Sequence, residues 1–250
     1  MSKMIYSFSR LSLYTDCPYR FYLRYIEKRE EIITEPLALG KAVHKAIELM
    51  LNGSDLNDAL LDAEMESEVP IHSEELRNLV KKAPIRKGEG LENGTEIEKY
   101  FKLPLSNTEQ APYFQGYIDV VRNVFGCFEF VDWKTNRVKY SPMDTMQLPL
   151  YAWALSEIYD ANEVTGILFF LRYFKKAQER MSFNKAAMEK ARAWAERTAN
   201  EIEDKLFLLE IGQSPEELFP LVPNPHCKYC SFAAECLLKN EQKILGGFIA

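Results

Sequence analysis

Asp132 and Lys134 stand two apart in the stretch VDWKT, and Asp119 lies shortly before them in GYIDVV. Both stretches are rich in aromatic and β-branched residues and read as consecutive strands. Side chains alternate faces along a strand, so Asp132 and Lys134 project on one side and Trp133 on the other. A neighbouring strand places Asp119 beside them. Two carboxylates and an ammonium gathered in this way repel or desolvate one another unless something balances them. A hard divalent ion such as Mg²⁺ or Mn²⁺ does so, with carboxylate oxygens as ligands and positions left for a water and a phosphate oxygen. An ammonium alongside stabilises hydroxide or the charge gathering on phosphorus. That is chemistry for phosphodiester hydrolysis.

The bare pattern of acid, any residue, lysine recurs at Glu203–Lys205 and Glu241–Lys243, so it says little alone. Only the first instance follows a strand that carries an aspartate. His44, in GKAVHKAIE, is a candidate further ligand, placed where a short turn at Gly40 leads into a helix. An imidazole favours Mn²⁺ somewhat over Mg²⁺.

A second group is made of thiols. Cys227, Cys230 and Cys236 in HCKYCSFAAEC follow a C-x₂-C-x₅-C spacing. Such a close pair is common at thiolate metal sites, and the third ligand can come from the following helical turn. Three thiolates leave a tetrahedral-type site one ligand short. Cys17 stands alone near the other end, in LYTDCPYRFYLRYI, and Cys127 reads as a small buried strand residue. Five cysteines in a chain expected in the reducing cytoplasm argue for ligation rather than disulfides. Around Cys17, the residues Arg20, Tyr22 and Arg24 supply faces and cations that suit a single-stranded nucleic-acid path or helix packing equally.

The elements that must position these groups follow from periodicity. Residues 9–28 have apolar spacing of the helical kind, with Pro18 starting a new turn. LALGKAVHKAIELMLNG is an amphipathic helix closed by Gly53, and weaker helices cover roughly 55–68 and 73–83. Three strands follow the polar loop RKGEGLENG. SPMDTMQLPLYAWALSEIY reads as a helix capped by Ser141 with Pro142 at its first position. Two more strands and a long helix from about Asn184 precede the cysteine segment. The order predicts an α/β fold, a mixed central sheet flanked by helices.

With 250 residues, 47% of them apolar, the chain can build one large core. It divides into a helical part (1–90), a sheet core (91–210) and a cysteine segment (211–250). The net charge of −6 excludes a basic coat but not a local basic groove. Much of the excess acid falls in SDLNDALLDAEMESE, a solvated helix face. No apolar run is long enough for a membrane span, the N-terminus has no signal-peptide core, and no G-x-x-x-x-G-K-[ST] loop is present, so any ATP-driven motor is a separate chain.

Taken together, SFSRLSLYTDCPYRFYLRYI, LGKAVHKAIE, GYIDVV, VDWKTN, MQLPLYAWAL and CKYCSFAAEC resemble, in order, the motifs of a RecB-type nuclease of the PD-(D/E)XK (restriction-endonuclease-like) superfamily. The resemblance is to the branch with the CRISPR-associated iron–sulfur exonucleases and the nuclease domains of helicase–nuclease machines. It implies that His44, Asp119, Asp132 and the Trp133 carbonyl bind metal, with Lys134 catalytic. It implies that Gln147 and Tyr151, a helical turn apart, line the site and contact the DNA backbone. It implies a carboxylate from the preceding strand, for which Glu96 and Glu98 are both candidates. It also implies that Cys17 completes the Cys227, Cys230, Cys236 set around a [4Fe–4S] cluster, a staple closing a loop of more than two hundred residues; zinc is the rival occupant. The implied activity is metal-dependent hydrolysis of DNA from single-stranded ends, in recombination, repair or CRISPR adaptation with protein partners. A DNA-end-binding or scaffold subunit with little turnover is the alternative.

Overall fold

A computed structural model of the chain describes residues 4–246, with side chains described as far as residue 239. The chain forms two compact units, Met1–Ile32 with Glu196–Ala250, and Ile33–Ala195.

The first unit opens with the short strand β1 (Ile5–Tyr6) and helix α1 (Phe8–Asp16), capped by the Ser7 hydroxyl, which accepts from the Arg10 N–H. Cys17 is extended (φ −157°, ψ 98°), and Pro18 restarts the chain as α2 (Pro18–Phe21). A π-helical turn (Tyr22–Ile26) follows.

In the second unit, α3 (Glu35–Leu51) buries Ala38, Leu39, Ala42, Val43, Ala46, Ile47 and Leu51, spacing that keeps one face apolar. It ends as expected at Gly53 (φ 101°). There the Ser54 N–H donates to Leu49 O and the Gly53 N–H to Met50 O, the double bond of a Schellman stop. Gly40, however, does not form a turn before the helix; it lies inside it. A Cβ there would stand 3.3 Å from Thr135 Oγ1, so the glycine permits close packing on the chain that follows Lys134. Helices α4 (Leu56–Met65) and α5 (Ser73–Val80) join α3 in a core with Val120, Val131 and Trp133 of the sheet.

The sheet of this unit runs in the order β2 (Thr95–Pro104), β3 (Tyr113–Val124), β4 (Cys127–Lys134), β5 (Glu163–Phe170), β6 (Gln178–Asn184). All neighbours are antiparallel except β4 and β5, which are parallel and joined through helix α6 (Gln147–Tyr159). This is the expected mixed sheet flanked by helices. Two details differ from expectation. Helix α6 begins at Gln147 rather than at Ser141 and Pro142, because Ser141 and Asp144 close a turn of their own: Asp144 accepts from the Ser141 N–H at 2.7 Å, and the Asp144 N–H donates to Ser141 O at 2.9 Å. Cys127 is exposed, not buried, since it opens β4 directly after the tight turn at Phe125 and Gly126, both at positive φ.

The first unit resumes along the later part of α7 (Lys185–Glu210), then α8 (Pro215–Leu218), a 3₁₀ turn (Pro225–Tyr229) and α9 (Ala233–Gly246). Tyr6 donates to Glu203 at 2.7 Å and Tyr14 to Glu201 at 2.5 Å, binding the two ends of the chain into one body. Among the described residues no helix is long and apolar enough to cross a membrane.

Candidate active site

Strands β3 and β4 are laddered only as far as Val120 and Val131. The next residues, Asp119 and Asp132, fall where the strands part. Asp119 turns into the gap, and its Oδ2 accepts the Trp133 N–H at 2.7 Å. Helix α3 brings His44 to the same gap, with Nδ1 at 3.2 Å from Asp119 Oδ1 and Nε2 at 2.9 Å from the Trp133 carbonyl.

Glu98 completes the group from β2. Ligand atoms of His44, Glu98 and Asp119 all lie within 4.8 Å of one another. Of the two candidate glutamates, Glu98 lies with His44 and Asp119, whereas Glu96 accepts from Lys99 at 2.5 Å and from Tyr159. Strand alternation alone would put both glutamates on one face. Glu98 escapes because its backbone is left-handed (φ 46°), and the ladder skips its pairing with Asp119. The faces of β2 exchange there: Ile97 packs with the α3 core, whereas Phe101 meets Tyr151 of α6. A glutamate held in this conformation is strained, and such strain collects at functional positions.

Asp132 and Lys134 share a face, as alternation requires, with Trp133 buried in the α3 core. Lys134 Nζ lies 2.5 Å from Asp132 Oδ2 and donates to Gln147 Oε1 at 3.0 Å. Gln147 Nε2 in turn donates to Asp132 Oδ1 at 3.2 Å and to the Tyr151 hydroxyl at 3.5 Å. The amide of Gln147 thus sets the ammonium and the carboxylate against each other, and Tyr151, buried one turn on, backs the amide. Tyr140 was not apparent from the sequence; its phenol also faces the Lys134 ammonium.

The electrostatics follow from this crowding. Burial works against the Lys134 charge, yet Asp132 outweighs it and holds the ammonium above its ordinary range. Burial opposes a charged His44 as well, but Asp119 raises it to about 9. Glu98 is pushed up to about 7 by burial and by the Asp119 charge. Asp132 is raised by burial, against the pull of the Lys134 ammonium 2.5 Å from its Oδ2. The His44 imidazole and the carboxylates of Glu98 and Asp119 fit a hard divalent ion of the Mn²⁺ or Mg²⁺ kind.

The remaining predicted residues lie in the first unit. Cys17, Cys227, Cys230 and Cys236 line one cavity of about 540 Å³. Burial and the neighbouring Cys230 and Cys17 push the Cys236 thiol up to about 11. Asn224, missed in the sequence, ties the two segments: its side-chain amide donates to Asp16 O at 2.9 Å, and its backbone N–H to Cys227 Sγ at 3.3 Å. Arg20 and Arg24 both bind Glu31, at 2.6 and 2.7 Å, and Tyr22 stacks on Phe219.

No curated protein matches the chain. A solved structure titled "Crystal structure of SSO0001" is similar at 15% identity and a TM-score of 0.38, covering 87% of this chain and 92% of that one, a likeness too distant to inform the site. The sequence model of the PD-(D/E)XK nuclease superfamily matches residues 5–237, a span that takes in every residue of the strand-gap site, and the chain belongs to that superfamily.

Proposed function

We propose that the chain is a metal-dependent deoxyribonuclease that works from the ends of single-stranded DNA, in recombination, repair or CRISPR adaptation. The observation that carries the reading is the convergence of His44, Glu98 and Asp119 beside the Asp132–Lys134 pair. His44, Glu98 and Asp119 hold Mn²⁺ or Mg²⁺, with Asp132 and the Trp133 carbonyl at the same gap. When bound, the ion supplies an activated water and polarises the phosphate. Lys134, fixed as an ammonium, stabilises negative charge on the reacting phosphate, and Gln147 keeps it aimed. Arg20 and Arg24 serve DNA phosphates by exchanging Glu31 for them, and Tyr22 supports that surface.

We further propose that the four cysteines hold a [4Fe–4S] cluster. The lining of one cavity by Cys17, Cys227, Cys230 and Cys236 supports the reading, with zinc as the rival occupant.

The test is degradation of end-labelled single strands in Mn²⁺ by the parent, Asp119→Ala and Lys134→Ala. Each variant should fall at least about a hundredfold. Equal activity in all three rejects the assignment.

A further inference from the structure

We propose that the exposed face of β2 and β3 is a stacking platform for single-stranded DNA, continuous with the strand-gap site. The platform's purpose, delivery of a strand for cutting, rests on the nuclease reading; its binding does not.

Tyr100 pairs with Tyr117 across the two strands, Lys102 with Gln115, and Pro104 with Tyr113. Opposite and alternate residues share a face, so these six stand together. Phe101 and Phe114 occupy the other face and are buried. Tyr100, Tyr113 and Tyr117 are instead 45%, 44% and 57% exposed. The Tyr100 and Tyr117 rings touch, with centroids 5.0 Å apart, and Lys102 Nζ lies 5.0 Å over the Tyr113 ring. Scattered exposed aromatics need no explanation, but a contiguous row does.

The chemistry of the row indicates its occupant. Phenol rings interleaved with an ammonium and an amide are poorly suited to an oily partner and well suited to bases and phosphates. Bases in a duplex are stacked on each other, so their faces are available only in a single strand.

Its position gives a direction. Two residues along each strand from Tyr100 and Tyr117, where the ladder skips a pair, stand Glu98 and Asp119, a step of about 7 Å. Past those acids, a cavity of about 550 Å³ is lined by Lys41, His44, Lys45 and Lys134 among others. Lys41 pairs with Glu68 at 2.6 Å, and Lys45 with Glu48 at 3.4 Å and Glu66 at 3.9 Å. The exposed Lys41–Glu68 pair is weak and exchanges readily for phosphate. Aromatic faces on one side of the acids and lysines on the other make one path for a single strand.

The experiment is anisotropy of fluorescein-labelled oligodeoxythymidylate with the full chain in chelator, so that nothing is cut. The double variant Tyr100→Leu, Tyr117→Leu should bind about ten- to a hundredfold more weakly, and Tyr100→Phe, Tyr117→Phe within about twofold of the parent. Binding of a duplex of the same length should be unmoved, and thermal melts confirm that both variants are folded. Four results would overturn the platform: no binding by the parent, parent-like binding by the leucine variant, equal loss in the phenylalanine variant, or equal loss on duplex. Cutting in Mn²⁺ is read on the same preparations. Tyrosine-dependent binding without cutting rejects the nuclease reading and keeps the platform; cutting without tyrosine dependence does the reverse.

Discussion

The His44 ring spans the gap between two acceptors, Asp119 Oδ1 at 3.2 Å and the Trp133 carbonyl at 2.9 Å. Burial opposes a charged ring, but the Asp119 carboxylate outweighs it and raises His44 to about 9, which favours the doubly protonated ring when no metal is bound. Those protons and a metal ion compete for the same atoms.

The first prediction follows from that competition. His44 and Glu98 both have raised values, about 9 and about 7. For His44 the added stability is complete below the unfolded value and lost as pH rises toward 9. Glu98 binds its proton more tightly folded than unfolded, so stability also falls as pH rises from the ordinary carboxylate range toward 7. The melting temperature of the metal-free chain should therefore drop between about pH 6 and pH 8, and Mn²⁺ should raise it more at the higher pH. Scanning fluorimetry with and without Mn²⁺ checks this; a metal-induced rise that shrinks with pH contradicts it.

Glu98 and Glu96 should separate cleanly. Glu98→Gln is expected to weaken Mn²⁺ binding by about ten- to a hundredfold, whereas Glu96→Gln leaves it unchanged. Glu98→Gly removes the left-handed strain along with the ligand. It should stabilise the metal-free chain by about 1 kcal/mol while abolishing cutting. Titration calorimetry and denaturant melts on the three variants give both readings.

Gln147 positions Lys134 and Asp132 without being a proposed metal ligand. Gln147→Ala should lower kcat by about ten- to a hundredfold with little change in Mn²⁺ affinity, as loss of a supporting hydrogen bond does. A change confined to metal affinity would remove the aiming role.

Anaerobically purified protein should be coloured and contain iron. Cys17→Ala should lose iron and melt at lower temperature, because its sulfur is one of four lining the cavity. Asn224→Ala, which cuts the tie to Asp16, should lower the melting temperature by less. Stoichiometric zinc in a colourless parent would reject the cluster.

Much of the site was legible because strand alternation is a strict geometric constraint. It sets Asp132 and Lys134 together with Trp133 behind them. The same constraint failed at Glu98, where a non-glycine residue adopts positive φ and the faces of β2 exchange. No residue type announces that conformation. Ser141 and Pro142 have the right chemistry for a helix start, but the Ser141–Asp144 turn satisfies their groups first. Gly40 reads as a turn residue from composition, while its use is the approach to Thr135, a long-range contact. Cys127 reads as buried from its residue type, whereas the Phe125–Gly126 turn sets it at the surface. Periodicity carried the fold; what it missed were local bonds and backbone exceptions.

The pairing of both chain ends in one unit also has a consequence for biosynthesis. Ile33–Ala195 is contiguous and can fold as soon as it leaves the ribosome, but Met1–Ile32 belongs with Glu196–Ala250. At ordinary translation speed the leading segment waits roughly ten to thirty seconds for its partner to be made. During that interval Tyr6 and Tyr14 lack Glu203 and Glu201, and Cys17 lacks the cysteines that share its cavity, so a nascent-chain chaperone would meet this short stretch.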